Sequence, residues 1–324
     1  MTPWAFEICH DALMSQDAVM SSGPALLLDS ASLYYRSFYA LPDSMKAPDG
    51  RPHQALRGFL TTLDAFYQRF SPSGLVACWD ADWRPAWRVD LMPSYKAHRV
   101  ARFADDGTWL EAEPEELTPQ AAALAQLLDA AGIARVGVDD FEADDVLASL
   151  ASQSLGPSIV ISGDRDLVQL VDDDAKTQVF LAVNGGMPKW PLLDAAGVQT
   201  RYGVRADQYV DLAIMRGDPS DGIPGVPGIG EKTAAALLHE YDSLEGILKA
   251  AAGPPKTPMT PRIQALLIEH ATALGTARTV ATAVRDLHCS VDTSIPAQAK
   301  DGAQMNEIIE QWGLRRFIPD WFPS

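Results

Sequence analysis

Cysteine is scarce in this chain of 324 residues: Cys9, Cys78 and Cys289 lie far apart and are odd in number. They build neither a disulfide framework nor a CxxC zinc site, so a reducing compartment is expected. Long apolar stretches are missing too. No run reaches the roughly 18 residues that would span a bilayer, and the opening MTPWAFEICHDALMSQDAVM lacks the basic and continuously apolar segments of a signal peptide. The reading is a soluble, cytoplasmic protein without a membrane partner. Positive charge is the third shortage. Lys and Arg number 26 against 43 Asp and Glu, a formal net charge of −17, which excludes a bulk-electrostatic binder of DNA or anionic lipid. Any polyanion must be gripped locally. Residues 1–23 show no periodicity and are expected to be a poorly ordered leader, with ordered sequence starting at Pro24.

What is present from Ala25 onward is a recurring pattern: a short, continuous apolar run, then acid, then helix-compatible sequence. The runs are ALLLD (25–29), GLVACWD (74–80), IARVGVDD (133–140), PSIVISGDRD (157–166) and TQVFLAV (177–183). Continuous rather than alternating runs predict mostly parallel strands buried on both faces, hence an α/β core over 24–204. In such sheets the functional crevice lies beyond the carboxyl ends of the strands. Asp29, Asp80, Asp164 and Asp166 stand at those ends, so one edge should be anionic. Residues 81–119 form a long insert, basic first (Arg84, Arg88, Lys96, Arg99, Arg102) and acidic after (Asp105, Asp106, Glu111, Glu113, Glu115, Glu116). A connection of that length is usually functional or disordered. Strand signals stop after about residue 205, and 205–324 reads as helical, with a Gly/Pro-rich turn feeding the helix of EKTAAALLHEY (231–241).

In FEADDVLASL (141–150), Ala143, Val146, Leu147 and Leu150 share one helical face while Glu142, Asp144 and Asp145 fan over the opposite arc. Acids at a helix N-terminus favour its dipole by roughly 0.3–1 kcal/mol each, a sufficient account of that triplet alone. It does not cover nine. Asp164 and Asp166 at a strand end and Asp218 and Asp221 in GDPSDG bring the candidates for one crevice to nine with Asp29 and Asp80. Two unit charges about 4 Å apart at an effective dielectric near 20 repel by about 4 kcal/mol, so such a cluster needs cations. All-oxygen donors without paired His or Cys select Mg²⁺ or Mn²⁺, in two or more ions, over zinc. Carboxylates holding two such ions suit phosphodiester hydrolysis. An ideal helix splays Asp144 from Glu142 by about 160°, so a distorted first turn is expected if both are to reach one ion.

LLLDSASLYYRSFYAL (26–41), VACWDA (76–81), PSYKAHR (93–99), FEADDVLASLA (141–151), ISGDRDLVQLV (161–171) and GDPSDGIPGVPGIGEKTAAALL (217–238) together resemble, in order and spacing, the flap endonuclease family. The likeness is especially to the 5′-nuclease domain of bacterial DNA polymerase I and its free-standing relatives, over about residues 24–320. The resemblance implies a PIN-like core, a helical arch at about 81–119 and a helix-three-turn-helix at about 214–241. It implies metal-dependent hydrolysis near the 5′ end of branched DNA. Matched residue by residue, Asp29, Asp80, Glu142 and Asp144 surround a first metal, and Asp145, Asp164, Asp166, Asp218 and Asp221 a second. Lys96 and Arg99 match the basic pair that meets the scissile phosphate at the foot of the arch. Arg36 and Tyr95 match DNA contacts, whereas Arg102 reads as a solvated charge. Arg84 and Arg88, interleaved with Trp83 and Trp87, fit core packing or base stacking equally. Gly228 and Gly230 permit a tight turn that offers backbone N–H groups to a phosphate, beside Lys232 and Thr233. The resemblance also implies a potassium ion on the carbonyls of Val226 and Ile229.

Two departures stand out. FADDGTWLEAEPEEL (103–117) is longer and more acidic than the polymerase-attached domain has, and the leader matches nothing in the family. QWGLRRFI (311–318) partly resembles a sliding-clamp peptide, but Trp312, Leu314, Phe317 and Ile318 are more simply a final helix packing on the core. The expectation is a stand-alone, monomeric 5′ nuclease acting on flapped, nicked or gapped DNA in replication and repair, leaving a 5′-phosphate. Its rivals are a catalytically silent junction binder on the same scaffold and a PIN-type ribonuclease, the latter disfavoured by the glycine-rich turn. A haloacid-dehalogenase-like phosphatase is weaker, since Asp29-Ser30-Ala31 lacks that chemistry's second Asp.

Overall fold

The structure, a computed structural model, describes residues 23–103, 109–153, 156–289 and 291–324. Most of the expected leader, and Asp105 and Asp106 of the insert, lie outside the described residues. The chain opens with β1 (Ala25–Asp29), α1 (Ser30–Ala40), α2 (Gln54–Phe70) and β2 (Gly74–Cys78). The insert follows with α3 (Ala86–Leu91), β3 (Val100–Phe103) and β4 (Trp109–Glu111), then α4 (Thr118–Ala131), β5 (Ala134–Val136) and α5 (Ala143–Ser152). β6 (Ser158–Ser162), β7 (Thr177–Leu181) and β8 (Leu192–Leu193) complete the strands. The remainder is helical: α6 (Ala195–Tyr202), α7 (Tyr209–Arg216), α8 (Glu231–Tyr241), α9 (Leu244–Ala251), α10 (Pro261–Glu269), α11 (Ala271–Ala281) and α12 (Gly302–Trp312).

The main sheet runs β5-β2-β1-β6-β7-β8. Every pairing from β5 to β7 is parallel, with β1 between β2 and β6. Alternate residues of the continuous apolar runs feed opposite layers, which is why the runs do not alternate with polar residues. Leu26, Leu28, Leu75, Ala77, Ile159 and Ile161 meet α2, α4 and α12 on one face. Leu27, Val76, Cys78, Val160 and Val179 meet α5, α7 and α8 on the other. Emptying either layer by one Leu→Ala change would cost about 2–5 kcal/mol. The edges depart from expectation. The run at 133–140 forms only the three residues of β5, and β8 pairs antiparallel with β7, because the chain reverses at Gly185 and Gly186, both at positive φ.

The insert, which the resemblance implies as a helical arch, is only partly helical. Helix α3 stops before Pro93, with Met92 extended at φ −140° as the residue preceding a proline prefers. The chain then makes one tight turn at Ala97–Arg99 and an antiparallel pair, β3 with β4. There the cross-strand rings of Phe103 and Trp109 sit 4.6 Å apart and favour extended chain. At the other end, Trp312 and Leu314 are buried, and the Trp312 carbonyl lies 2.6 Å from His53 Nδ1. As folded, that segment presents neither side chain to a clamp. Among the described residues, no helix is long and apolar enough to cross a membrane.

Candidate metal centre and nucleic-acid interface

Three carboxylates reach a crevice of about 520 Å³ from the carboxyl ends of adjacent strands: Asp29 ends β1, Asp80 follows β2 and Asp164 follows β6. Asp144, at the start of α5, joins them, and Lys96 and Arg99 line the same crevice. Backbone geometry explains each placement. Asp29 caps α1 by accepting the Ser32 N–H at 3.0 Å and also accepts the Ser162 hydroxyl. Asp80 accepts the Ala143 N–H at 2.9 Å, at the exposed dipole end of α5. Asp164 accepts the Asp166 N–H at 2.8 Å, so the two acids of GDRD share one turn. Asp166 and Asp221 line a small adjoining cavity with Glu142 and Asp144.

Glu142 is the cap of α5, not its first helical residue: its backbone is extended (φ −86°, ψ 163°). That removes the expected splay, since the helical arc begins only at Ala143 and Asp144. Both Glu142 oxygens are engaged. Lys96 and Arg88 pair with it, and the Tyr95 hydroxyl donates to it at 2.6 Å.

Asp145, implied by the resemblance as a metal ligand, is turned toward the insert in this structure. Its side chain is fully buried, accepts the guanidinium of Arg88 at 2.7 and 2.8 Å and the Val284 N–H at 2.8 Å, and closes a capping box onto Glu142. It lines neither cavity. Arg88, 2% exposed, also donates to the Val280 carbonyl at 3.0 Å, so the insert is bolted to α5 through a buried cation. Arg84 is buried likewise, donating to the Tyr95 and Pro93 carbonyls. Packing, not base stacking, accounts for both arginines.

The acids are not electrostatically equivalent. Burial raises the Asp29 carboxyl to about 7, opposed by the Ser162 hydrogen bond and reinforced by Asp80 and Asp164. Burial and the surrounding carboxylates likewise push Asp144 and Asp166 well up. Asp80 rises through burial, against the Ala143 N–H and Lys96, and Asp221 reaches about 6, again chiefly through burial. Asp166 and Asp221 each keep one buried oxygen without a hydrogen-bond partner. Among the described residues, no three His, Cys, Asp or Glu side chains already stand close enough to hold an ion. The cage is therefore not preformed. Its donors nonetheless fit a hard divalent cation: they are all oxygen, one Asp166 oxygen has no hydrogen-bond partner, and burial disfavours the charged form of several, a cost that a cation would offset.

Lys96 is buried and Arg99 is partly exposed. Burial pulls the Lys96 ammonium down, but Glu142 outweighs it and holds the group well above its usual range. Arg99 donates to the Ser220 carbonyl at 2.9 Å and lies 3.7 Å from Asp221. Tyr95, 3% exposed and bonded to Glu142, is no direct DNA contact, contrary to expectation. Arg36 lies outside the acidic crevice, donating to the Val183 and Ala182 carbonyls beside Trp190. In the turn, Gly228 (φ +88°), Gly230 and Lys232 are exposed and Thr233 is half-buried. The Val226 carbonyl accepts the Ile229 N–H at 2.9 Å, leaving one lone pair. Gly222 (φ +72°) lets the GDPSDG loop close on the arch foot, because a Cβ there would collide with the Ser94 carbonyl. That approach brings the Lys96 N–H to the Asp221 carbonyl at 3.1 Å.

Sequence reasoning missed two charged residues of the crevice. Glu111 of β4 lines it and takes the Tyr35 hydroxyl at 3.3 Å, but it appeared only as one acid in the charged half of the insert. Arg165 lines it too, 3.5 Å from Asp218, and had no signal beyond its place between two acids.

Residues 24–203 match the family described as 5′-3′ exonuclease, N-terminal resolvase-like domain, and residues 204–302 match 5′-3′ exonuclease, C-terminal SAM fold. A 5′-3′ exonuclease of Streptomyces coelicolor is 47% identical over 290 residues, covering 89% of this chain and 96% of that protein. One from Mycobacterium tuberculosis is 44% identical over 304 residues, covering 91% and 95%. Among solved structures, a bacteriophage T5 flap endonuclease in a pseudo-enzyme-product complex with DNA and metal ions aligns at a TM-score of 0.61. It is 19% identical and covers 80% of this chain and 88% of that one, a likeness of fold.

Proposed function

Since the chain belongs to the 5′-3′ exonuclease family, we propose that it is a structure-specific DNA 5′ nuclease, cutting flapped, nicked or gapped DNA with divalent metal. The observation that carries this reading is the convergence of the strand-end acids Asp29, Asp80 and Asp164, joined by Asp144, on a crevice that Lys96 and Arg99 also line. Asp29, Asp80, Asp144 and Asp164 would hold Mg²⁺ or Mn²⁺ from the larger crevice, and Asp166, Asp218 and Asp221 from behind it. Glu142 joins them on giving up Lys96. When bound, such ions activate water and stabilise the attacking and leaving oxygens of an in-line displacement.

The chain's own groups do the rest. Lys96 and Arg99 present fixed cations to the reacting phosphodiester. The exposed turn at Gly228 and Gly230, with Lys232 and Thr233, takes backbone phosphate of the duplex without reading sequence, and the carbonyls of Val226 and Ile229 are where potassium would sit. Arg36 braces the strand end beside the crevice and contacts the displaced strand. A labelled 5′-flap duplex incubated with Mg²⁺ should be cut near the flap junction, leaving a 5′-phosphate, and should survive intact with chelator. Retardation without cutting in Mg²⁺ would favour the silent junction binder, and preferential cutting of a matched RNA flap the ribonuclease.

A further inference from the structure

Arg216 ends α7, and its side chain is largely buried between two acids of different provenance. Its Nη1 lies 3.3 Å from Glu231, the first residue of α8, and its Nη2 lies 3.4 Å from Asp218, which is itself almost fully buried behind the crevice. Both contacts are long beside the roughly 2.7–2.9 Å of a seated charge-assisted bond. The guanidinium is shared between the two acids, while its Nε donates to the Gly217 carbonyl at 3.3 Å. Asp218 Oδ2 takes its remaining cationic contact from Arg165 at 3.5 Å, while its Oδ1 accepts the Ser220 N–H at 3.0 Å. Glu231 poses a puzzle of its own, being an acid on the first turn of the very helix whose N-terminus would meet phosphate.

Resting on the nuclease reading above, we infer that Arg216 is a positioning residue that couples duplex binding at α8 to divalent-cation uptake at Asp218. A buried carboxylate without a counter-charge costs several kcal/mol. Arg216 and Arg165 therefore neutralise Asp218 when no ion is bound, and their charge repels an incoming one. A backbone phosphate arriving beside Glu231 adds a second anion on that side and draws the shared guanidinium toward α8. Asp218 Oδ2 is then free for a cation. The coupling is reciprocal: DNA tightens metal, and metal tightens DNA by the same factor.

The test measures Mn²⁺ binding by calorimetry, with and without a closed dumbbell duplex that has no 5′ end. In the wild-type protein the duplex should tighten Mn²⁺ at least about fivefold, the low end of ordinary coupling between sites. Arg216→Gln should bind Mn²⁺ more tightly than wild type without DNA and lose the response to DNA. Arg216→Lys keeps the charge without the two-way fork and should retain part of it. Glu231→Gln lets Arg216 seat on Asp218 and should weaken Mn²⁺ binding without DNA, the opposite direction. A merely structural role for Arg216 moves neither in opposite senses. A wild-type affinity indifferent to the duplex, or variants that shift together or not at all, would overturn the coupling while leaving the nuclease reading standing. Failure of the duplex to bind the wild-type protein would likewise overturn the coupling, whereas the nuclease reading stands or falls on cleavage of the 5′-flap substrate.

Discussion

The two sides of FEADD behave oppositely although their acids are neighbours in sequence. Glu142 and Asp145 face the insert, where Arg88, Lys96 and Tyr95 occupy their oxygens. Asp144 lines the crevice and, with Asp166 and Asp221, the small cavity adjoining it; burial raises all three carboxyls, and Asp166 keeps an oxygen without a hydrogen-bond partner. In the first group the protein's own cations neutralise the acids, and of the two only Asp145 stands clear of both cavities. The second is left electrostatically costly, a pattern that functional sites share and on which the proposed metal binding rests.

The sharpest way to break this contrast is to neutralise one acid on each side. Asp145→Asn leaves Arg88 buried with half its countercharge gone and should cost about 3–5 kcal/mol in urea unfolding. Asp166→Asn removes a carboxyl already disfavoured as an anion, so the metal-free protein should lose no stability and gain some at pH near 8. Equal losses in both would erase the distinction.

A smaller effect, of several degrees in Tm, is expected from pH. Asp29 at about 7 and Asp221 at about 6 titrate above their ordinary value of 3.8. Between those limits the unfolded chain releases its protons first, so chelated protein should lose stability as pH rises from about 4 to about 7. Mn²⁺ competes with the same protons, so the gap in Tm between Mn²⁺-loaded and chelated protein should widen from about pH 5.5 to about pH 8. A gap independent of pH would place the cation somewhere other than these carboxylates.

The crevice side was legible in the sequence, because three of the continuous apolar runs lead into Asp29, Asp80 and Asp164 and parallel topology gathers those ends at one edge. The paired side was not. Arg88 and Asp145 are 57 residues apart, and no periodicity links a basic insert to the buried face of a distant helix. Glu142 was misplaced by a single residue, since spacing alone does not separate a cap from a first turn, although the capping box supplied a signal in the Glu at 142 and Asp at 145. The hairpin of β3 and β4 was hidden for a similar reason: its acids masked the cross-strand pairing of Phe103 with Trp109.

Cleavage of a labelled 5′-flap duplex by Asp166→Ala in Mg²⁺, alongside its circular dichroism and its affinity for the same DNA, tests the central claim most directly. The account predicts a folded protein that binds the flap and cuts it at least about 10³-fold more slowly than wild type, the scale of removing a preorganised charge from a reaction centre. Cutting at the wild-type rate would contradict it.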